Sequence, residues 1–474
     1  MDLSRSSLLL FCSKAGNAVL TFVGIAYFTH RLPADELGVF FLFLALQGLF
    51  SIPADFGMSV ALEKRLSEGA ERASTLGTAL AIKVGLLAVA GTVILLARPY
   101  VNGYLGGDLA VLLAASLVLR GMGRFYVHAL RGRLRVGETG LLEVPRQVTW
   151  LVGGAILTAS GFGLRGLVYA YLLGSAIVLV LAYARCDVPI GRPSLARARS
   201  LVAFSKYDTV SAVGGHLYEW IDTAIIGLFF AHRYVSAYNV AWQITLLVLL
   251  VSKPIALSLF PQISEWDANA STARIGETVS KALGFATVVA VPAVVGAAIY
   301  APDILRYLFG QQYVVASGVL VVLLVEKLFV SLNDVVGFSL RAIDRPDLAA
   351  RATVVTIVLV LVLSVAFVIP FGFVGVAVAL TVAWFVNATL YVRYLARHVP
   401  LRVPYRLVGW YVVASVCMGG VLLGVKAVVP VTGLPTLVGE VGLGAAVYAS
   451  VAVSIPAVRE RVVRPGLASF GVSH

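Results

Sequence analysis

Six positively charged side chains fall inside long apolar runs of this sequence, where water cannot solvate them. They are Lys14, Lys83, Arg120, Arg124, Lys253 and Lys327. A cation at the centre of a membrane helix costs roughly 2.5 to 3.5 kcal/mol on insertion scales, so such residues usually face a cavity or the interior of a helix bundle. Because Arg and Lys are the usual partners of phosphate, these positions indicate binding of an anionic group.

Two of these cations, Arg120 and Arg124, are four residues apart and therefore share one face of a helix. Most of the six lie in the half of the membrane that the charge pattern below assigns to the cytoplasmic side. A phosphate group that arrives from the cytoplasm would meet them at that depth. We predict that a headgroup phosphate is bound by Lys14, Arg120, Arg124 and Lys253. The alternative is snorkelling, in which a long side chain reaches the membrane surface past the lipid.

Other polar and acidic residues within the apolar runs extend this predicted site. Those expected to line a cavity are Asn17, Lys83, His216 and Lys327. The acidic residues Asp55, Glu219 and Asp222 have two interpretations, either counter-ions that hold the basic residues in place or a proton or sodium site that couples transport to a gradient. Glu326 and Lys327 are adjacent and point about 100° apart on a helix, so we do not expect them to pair.

The elements that must position these residues are membrane-spanning helices. Hydrophobic residues make up 59% of the 474 residues and charged residues only 13%, about half of what a soluble surface needs. The mean hydropathy is +0.93. Apolar runs of about 20 residues match the ~30 Å hydrocarbon core of a bilayer. We therefore predict an all-α integral membrane protein with about fourteen transmembrane helices.

The predicted spans follow from apolar windows separated by Gly, Pro and charged residues. They cover residues 8–30, 37–57, 76–97, 109–130, 145–163, 166–184, 207–230, 236–260, 279–301, 314–336, 352–370, 373–392, 407–429 and 437–456. The joins at Gly163 and Gly372 are so short that each could instead lie inside one long bent helix. The first apolar run is followed by Arg31 and not by a small-residue cleavage site, which favours a retained helix over a signal peptide.

The distribution of positive charge supports this arrangement. With the N-terminus in the cytoplasm, 25 Lys and Arg fall in inside segments and 6 in outside segments. Lys and Arg accumulate in cytoplasmic loops of membrane proteins, and a missed span would scramble the pattern. We expect a multi-pass protein of the cytoplasmic membrane with both termini inside. The net charge of +13 then has a topological explanation and does not indicate nucleic-acid binding.

Motifs for enzymatic chemistry are missing from the sequence. There is no phosphate-binding P-loop, no GxSxG or HExxH motif, and the three cysteines lack the spacing of a zinc or disulfide framework. We expect no catalytic residues, no metal and no cofactor.

Short sequence matches recur in the same order along the two halves of the chain. Phe28-Thr29-His30-Arg31 resembles Phe230-Ala231-His232-Arg233, and Ala129-Leu130-Arg131-Gly132 resembles Ser339-Leu340-Arg341-Ala342. These matches predict two six-helix lobes, spans 1–6 and 7–12, related by a pseudo-two-fold axis along the membrane normal. The predicted domains are an N-terminal lobe (1–186), a cytoplasmic linker (187–206), a C-terminal lobe (207–398), and two additional helices with a tail (399–474). Chance similarity among apolar helices is the alternative.

The sequence resembles the polysaccharide transporters, the Wzx-type flippases of lipid-linked oligosaccharides, within the multidrug/oligosaccharidyl-lipid/polysaccharide exporter superfamily. The residues that carry the resemblance are Ser13-Lys14-Ala15-Gly16-Asn17, the loop 31–40, Asp55-Phe56-Gly57-Met58 and 340–346. The resemblance implies two lobes around a central cavity and a glycan substrate on an isoprenyl phosphate or pyrophosphate. It places family basic residues at Lys14 and Lys253.

The expected function is translocation of such a lipid-linked oligosaccharide from the cytoplasmic to the outer leaflet by alternating access, for surface polysaccharide or glycoprotein glycan assembly. The expected partners are the oligosaccharide on an undecaprenyl or dolichol carrier, membrane lipids, and glycosyltransferases or a polymerase of the same pathway. An ion-coupled MATE-like multidrug exporter is one alternative, which would favour acidic cavity residues. A membrane enzyme such as an oligosaccharide polymerase is another, which would need a long external loop.

Overall fold

The protein is described by a computed structural model that covers residues 3–69 and 71–459, apart from the side chains of residues 3–12, 14, 15, 136, 206–216, 251 and 457. These residues form helices joined by short turns, and the described ranges contain no β-strand. A helix satisfies all of its backbone hydrogen bonds within one segment, which is the requirement for crossing hydrocarbon. The all-helical class predicted from the apolar runs is therefore confirmed.

The chain divides into two compact units, residues 1–236 and 237–474. The first contains α1 (Leu3–Thr29), α2 (Ala34–Asp55), α3 (Met58–Ser67), α4 (Arg72–Leu96), α5 (Arg98–Leu105), α6 (Ala110–Gly132), α7 (Val136–Leu157), α8 (Gly163–Arg185), α9 (Leu195–Phe229) and the start of α10 (His232–Thr245). The second contains the rest of α10, α11 (Leu249–Ala268), α12 (Thr272–Thr287), α13 (Ala290–Phe309), α14 (Ser317–Ala342), α15 (Pro346–Ala396), α16 (Tyr405–Val428) and α17 (Leu434–Ser454).

Within the described part of the chain, nine helical segments are long and apolar enough to cross a membrane, or ten if the bent pair His232–Val248 and Ser252–Ala268 is one crossing. The predicted count of fourteen is not confirmed. Three of the nine segments contain 49, 38 and 51 residues, whereas one crossing needs about 20.

Two of these long segments reverse direction at a glycine. The sequence had allowed either two spans or one bent helix at each of these short joins. Gly163 (φ 51°) is the first residue of α8, and Gly153 of α7 faces Ala170 of α8. Gly372 (φ 61°, ψ −152°) interrupts α15, and the hydroxyls of Thr353 and Tyr391 on its two halves are 3.5 Å apart. Glycine has no Cβ and adopts these positive φ angles at little cost. Both joins are therefore helical hairpins and not bends in one helix.

Turns of the same form follow α6 and α14, at positions that the predicted repeat matches. Leu134 (φ 61°) and Asp344 (φ 56°) are both left-handed. The amide of Leu134 donates to the carbonyl of Arg131 (2.8 Å), and the amide of Asp344 donates to the carbonyl of Arg341 (3.3 Å). A left-handed non-glycine residue is uncommon, so its recurrence at matched positions supports two copies of one helical unit.

The first unit includes α9, which the sequence analysis placed in the second lobe. α9 packs against α2, α3 and α4. Glycines bring α2 and α9 close together: a Cβ at Gly48 would lie 2.4 Å from Trp220, and one at Gly227 would lie 2.4 Å from Leu42. Small residues allow helix backbones to approach in membranes. The first compact unit ends at Ser236, later in the chain than the predicted lobe boundary at residue 207. The predicted boundary comes from a sequence repeat and not from packing, so it stays a prediction.

Gly38 continues this close packing beside the first residue of α10. A Cβ at position 38 would lie 1.9 Å from the carbonyl oxygen of His232. We expect Gly38→Ala to destabilise the protein by about 1 to 3 kcal/mol, because backbone must move to admit the methyl group. The measurement is the melting temperature of the purified protein in detergent.

The matched control for Gly38→Ala is Gly85→Ala on α4, where a Cβ would meet no atom within 4 Å. We expect that variant to keep or slightly raise the melting temperature, because alanine favours a helix over glycine. Equal melting temperatures for the two variants would contradict the close approach of Gly38 to His232.

Candidate functional site

Arg120 and Arg124 lie on one face of α6, as their spacing predicts. The glycines between them face other helices: Gly121 packs against Leu87 of α4, and Gly123 packs against α8. The two glycines thus pack α6 against α4 on one side and α8 on the other, and the arginine face lies between these two contacts. The sequence thus places two permanent charges, since guanidinium does not deprotonate in proteins, at fixed positions within a membrane-crossing helix.

Arg124 has an exposed side chain that is surrounded by charged groups of the first unit. It interacts electrostatically with Arg120, Asp55 of α2, Glu143 of α7 and Glu219 of α9. Among the residues that the structure describes, Arg124 forms no hydrogen bond or salt bridge. An accessible arginine flanked by groups from several helices is placed to bind an anion that reaches the interior of the unit.

Arg120 contacts the ring of Tyr171, and the side-chain amide of Gln47 in turn bonds to the hydroxyl of that tyrosine. Its guanidinium lies 5.9 Å from the centroid of the Tyr171 ring, and it interacts electrostatically with Glu143 and Glu219. The Tyr171 hydroxyl donates a hydrogen bond to Oε1 of the buried Gln47 at 3.3 Å. This arrangement fixes the ring and, through a cation–π contact, the guanidinium.

Glu143 and Arg146 form a salt bridge on α7, with Nε donating to Oε2 at 2.8 Å. Glu143 also interacts electrostatically with Arg120 and Arg124. Glu143 was missed because the predicted span starts at residue 145, whereas α7 begins at Val136. Their Glu-x-x-Arg spacing was a signal for a pair on one helix face.

Lys83 does not line an open cavity, contrary to the prediction. Only 2% of its side chain is exposed, and its ammonium donates to a carboxylate oxygen of Asp55 and to the carbonyl of Ala54 (3.0 Å). Asp55 also accepts a hydrogen bond from the Ser59 hydroxyl at 2.5 Å. Removing two opposite charges from water is tolerated only when they pair closely, so Lys83 and Asp55 form a structural link between α2 and α4.

The remaining candidates of the first unit fall in different environments. Glu219 is exposed, whereas Asp222 is buried and accepts a hydrogen bond from the amide of Thr223 at 2.7 Å. Oδ1 of Asn17 is buried without a hydrogen-bond donor among the described residues. The side chains of Lys14 and His216 lie outside the described residues, so their predicted roles stay predictions.

In the second unit, Lys253 is exposed and interacts electrostatically with Asp334 of α14. Asp334 was missed, although an acidic residue in an apolar helix is itself a signal. Lys327 is fully buried and bonded to Glu326 at 2.6 Å, so it does not line a cavity and the expectation that these neighbours do not pair is wrong. The four-carbon side chain of lysine is long enough to bend back to its neighbour, and this pairing avoids the cost of an unpaired buried ion.

The predicted residues therefore gather in two groups, one in each unit. Arg120, Arg124 and Glu219 lie together in the first unit, with Glu143 and Arg146 added by the structure. Lys253 lies with Asp334 in the second unit. In the described part of the chain, no group of three or more His, Cys, Asp or Glu is placed to hold a metal ion.

The fold and these charged groups define a class, the all-helical integral membrane proteins that carry ionisable residues within their spanning segments. A family model described as "Polysaccharide biosynthesis protein" matches residues 31–318, and one described as "Lipid II flippase MurJ" matches residues 212–439. The chain belongs to the polysaccharide biosynthesis protein family, which confirms the resemblance found in the sequence.

Relatives from Haloferax volcanii match nearly the whole chain. "Probable low-salt glycan biosynthesis flippase Agl15" is 39% identical over 460 residues, covering 97% of this chain and 98% of the relative. "Probable flippase AglR" is 30% identical over 475 residues, with the same coverage. Among solved structures, lipid II flippase MurJ in an inward closed conformation has a TM-score of 0.78 at 14% identity, covering 94% of this chain and 98% of that one. An inward-facing MATE multidrug transporter has a TM-score of 0.65 at 17% identity, covering 80% and 94%.

The Lys83–Asp55 pair provides a test of which cations are structural. We expect Lys83→Met to destabilise the protein by about 3 to 5 kcal/mol, because it leaves the Asp55 carboxylate without its partner. Arg124→Gln removes a cation without a salt bridge and should change the melting temperature in detergent by much less. Equal losses for the two variants would contradict this division.

Proposed function

We propose that this protein is a flippase that moves a glycan linked to an isoprenyl phosphate or pyrophosphate from the cytoplasmic to the outer leaflet of the cell membrane. Both termini lie in the cytoplasm in this proposal, and transport proceeds by alternating access. Membership of the family and the printed function of the relatives support the substrate class. The protein moves its substrate and catalyses no covalent step.

The observation that carries the proposal is the state of Arg124. Its side chain is accessible, lies among charged groups of α2, α7 and α9, and has no salt bridge among the described residues. An ion in hydrocarbon costs several kcal/mol or more unless it is paired. A phosphate that enters this site supplies the missing partner, and Arg124 in turn lowers the cost of moving the headgroup.

We assign the headgroup phosphate to Arg124 and Arg120 of the first unit. Lys14 and Lys253 stay predicted phosphate ligands. A guanidinium binds a phosphate through two parallel hydrogen bonds, each about twice as strong as a neutral one. Asp55 is committed to Lys83 and Asp222 is buried, so the counter-ions of the site are Glu143 and Glu219. A membrane that is negative inside favours export of the anion by about 2.3 kcal/mol per charge per 100 mV.

The test compares lipids that differ only in the headgroup. Purified protein is titrated with undecaprenyl pyrophosphate, undecaprenyl phosphate and the uncharged alcohol undecaprenol, and binding is measured by the shift in melting temperature. We expect the two phosphates to bind and the alcohol to bind weakly. Arg124→Gln should weaken phosphate binding roughly 10- to 100-fold, from the loss of a charged hydrogen bond worth about 1.5 to 3 kcal/mol.

Arg133→Gln is the matched control, because Arg133 follows α6 directly and pairs with Asp187 at 3.2 Å. It should bind like the unchanged protein. In a strain without the gene, Arg124→Gln should fail to clear lipid-linked glycan from the cytoplasmic leaflet, and Arg133→Gln should succeed. Full rescue by Arg124→Gln would overturn the assignment of the phosphate.

Glu143 acts in this proposal as a counter-ion that the phosphate displaces. It interacts with both Arg120 and Arg124, so in the empty site it competes for the charges that the phosphate needs. Glu143→Gln should therefore lower the half-saturating lipid concentration. It should also lower the maximal rate of flipping, because the Glu143 carboxylate no longer returns to help expel the phosphate and only Glu219 remains.

The control for Glu143→Gln lies on the same helix. Glu138 forms a salt bridge of the same spacing with Arg135, at 2.7 Å, in the first turns of α7. Both variants are reconstituted in vesicles, and flipping of a fluorescent polyprenyl pyrophosphate lipid is followed by quenching from outside. We expect Glu138→Gln to leave both parameters unchanged. A higher half-saturating concentration for Glu143→Gln would refute displacement.

A further inference from the structure

Arginines and large apolar side chains alternate on an exposed surface between the end of α8 and the start of α9. We call this the Arg-apolar surface, and it consists of Tyr183, Arg185, Ile190, Arg192, Leu195, Arg199 and Val202, all of them exposed. Ile190 is 54% exposed and Leu195 is 70% exposed. Exposed apolar side chains that cluster among polar residues in this way are typical of a surface that contacts a partner or a membrane.

The α9 part of this surface follows a helical stripe. Leu195, Arg199 and Val202 are spaced by four and three residues and face outward, whereas Leu201 is buried in the core of the first unit. An amphipathic face that combines apolar and basic residues is typical of a helix at a membrane surface.

Acids lie near two arginines of this region, because Arg197 pairs with Glu71 at 2.8 Å and Arg185 interacts electrostatically with Glu138, but Arg192 and Arg199 have no such partner among the described residues. Residues 188–207 contain no Asp or Glu. Asp187 precedes them, but a hydrogen bond from Arg133 lowers the pKa of this carboxyl, so it is ionised and already paired. Arg192 and Arg199 have no salt bridge with any side chain that the structure describes.

The surface is held rigidly at the level where α4 begins. The amide of Gly191 donates to the carbonyl of Ala73 at 2.9 Å, and the amide of Ser194 donates to the hydroxyl of Thr78 at 2.9 Å. Ala73 and Thr78 lie in the first turns of α4, which is a membrane-crossing segment. The segment predicted as a linker, residues 187–206, is therefore docked beside the first turns of this apolar helix, and the end of a spanning helix is where lipid headgroups are expected.

We propose that the Arg-apolar surface binds acidic phospholipids of the leaflet that it faces, with their phosphates on Arg192 and Arg199 and their acyl chains against Ile190 and Leu195. Charge complementarity selects acidic over zwitterionic lipid, because each arginine near a negative membrane surface adds attraction that neutral lipids lack. The proposal does not depend on flipping, since it concerns a surface outside the charged groups of α6 and α7.

Native mass spectrometry of the full chain in detergent tests this surface. The protein is titrated with phosphatidylglycerol and, separately, with phosphatidylcholine. We expect preferential binding of phosphatidylglycerol, and we expect the double variant Arg192→Gln/Arg199→Gln to weaken it about 30-fold without changing phosphatidylcholine binding. The charge-preserving variant Arg192→Lys/Arg199→Lys should retain most of the preference.

The matched control removes two exposed arginines that lie beside acids. Arg345→Gln/Arg351→Gln is suitable because Asp344 and Asp347 are neighbours, and Asp347 lies 3.9 Å from Arg351. This variant should keep the preference for phosphatidylglycerol. Equal binding of the two lipids by the unchanged protein, or equal loss in both double variants, would overturn the proposal.

Discussion

The cost of placing a charge in hydrocarbon is the constraint on which this structure depends. An unpaired ion is expensive there, and an ion pair is tolerated when its partners touch. Lys83 with Asp55 and Lys327 with Glu326 satisfy this rule, and both lysines are almost fully buried. Such pairs join or stiffen helices and have no charge left for a ligand. Arg124, accessible and without a salt bridge among the described residues, is placed for a different purpose.

The same rule explains how the two last helices attach to the second unit. Lys426 of α16 donates to Asp303 of α13 at 2.6 Å and lies 4.7 Å from the ring of Tyr300. The Tyr300 hydroxyl donates to Glu440 of α17 at 2.5 Å. Hydrophobic attraction between helices is weak in lipid, so polar contacts and close packing hold them together. No sequence pattern indicates this pairing of Lys426, because Asp303 lies 123 residues earlier in the chain.

The predictions from sequence succeeded where a local property of the sequence, such as run length or residue spacing, determines the structure. Apolar run length predicts spanning helices, and helical spacing places Arg120 and Arg124 on one face. The predictions failed where tertiary partners decide. Glu326 and Lys327 point apart on an ideal helix, yet they pair because both side chains are buried and an unpaired buried ion is costly. Glu143 was missed because α7 extends nine residues beyond the apolar window that defined it. No sequence signal indicates that Tyr171 and Gln47 support Arg120, since each contact joins helices far apart in the chain.

α9 contributes the carboxylate of Glu219 to the charged site around Arg120 and Arg124. In the repeat predicted from sequence, α9 contains the first span of the second six-helix copy. In the structure it packs along α2 through Gly48 and Gly227 and brings Glu219 to Arg120 and Arg124. The arginines come from the first copy and this carboxylate comes from the second. A single six-helix copy would therefore lack one of the two counter-ions, and its pair of arginines would carry a larger uncompensated charge in the membrane. In the predicted repeat, the second copy thus provides an acid that lowers the cost of an accessible arginine pair inside the bilayer.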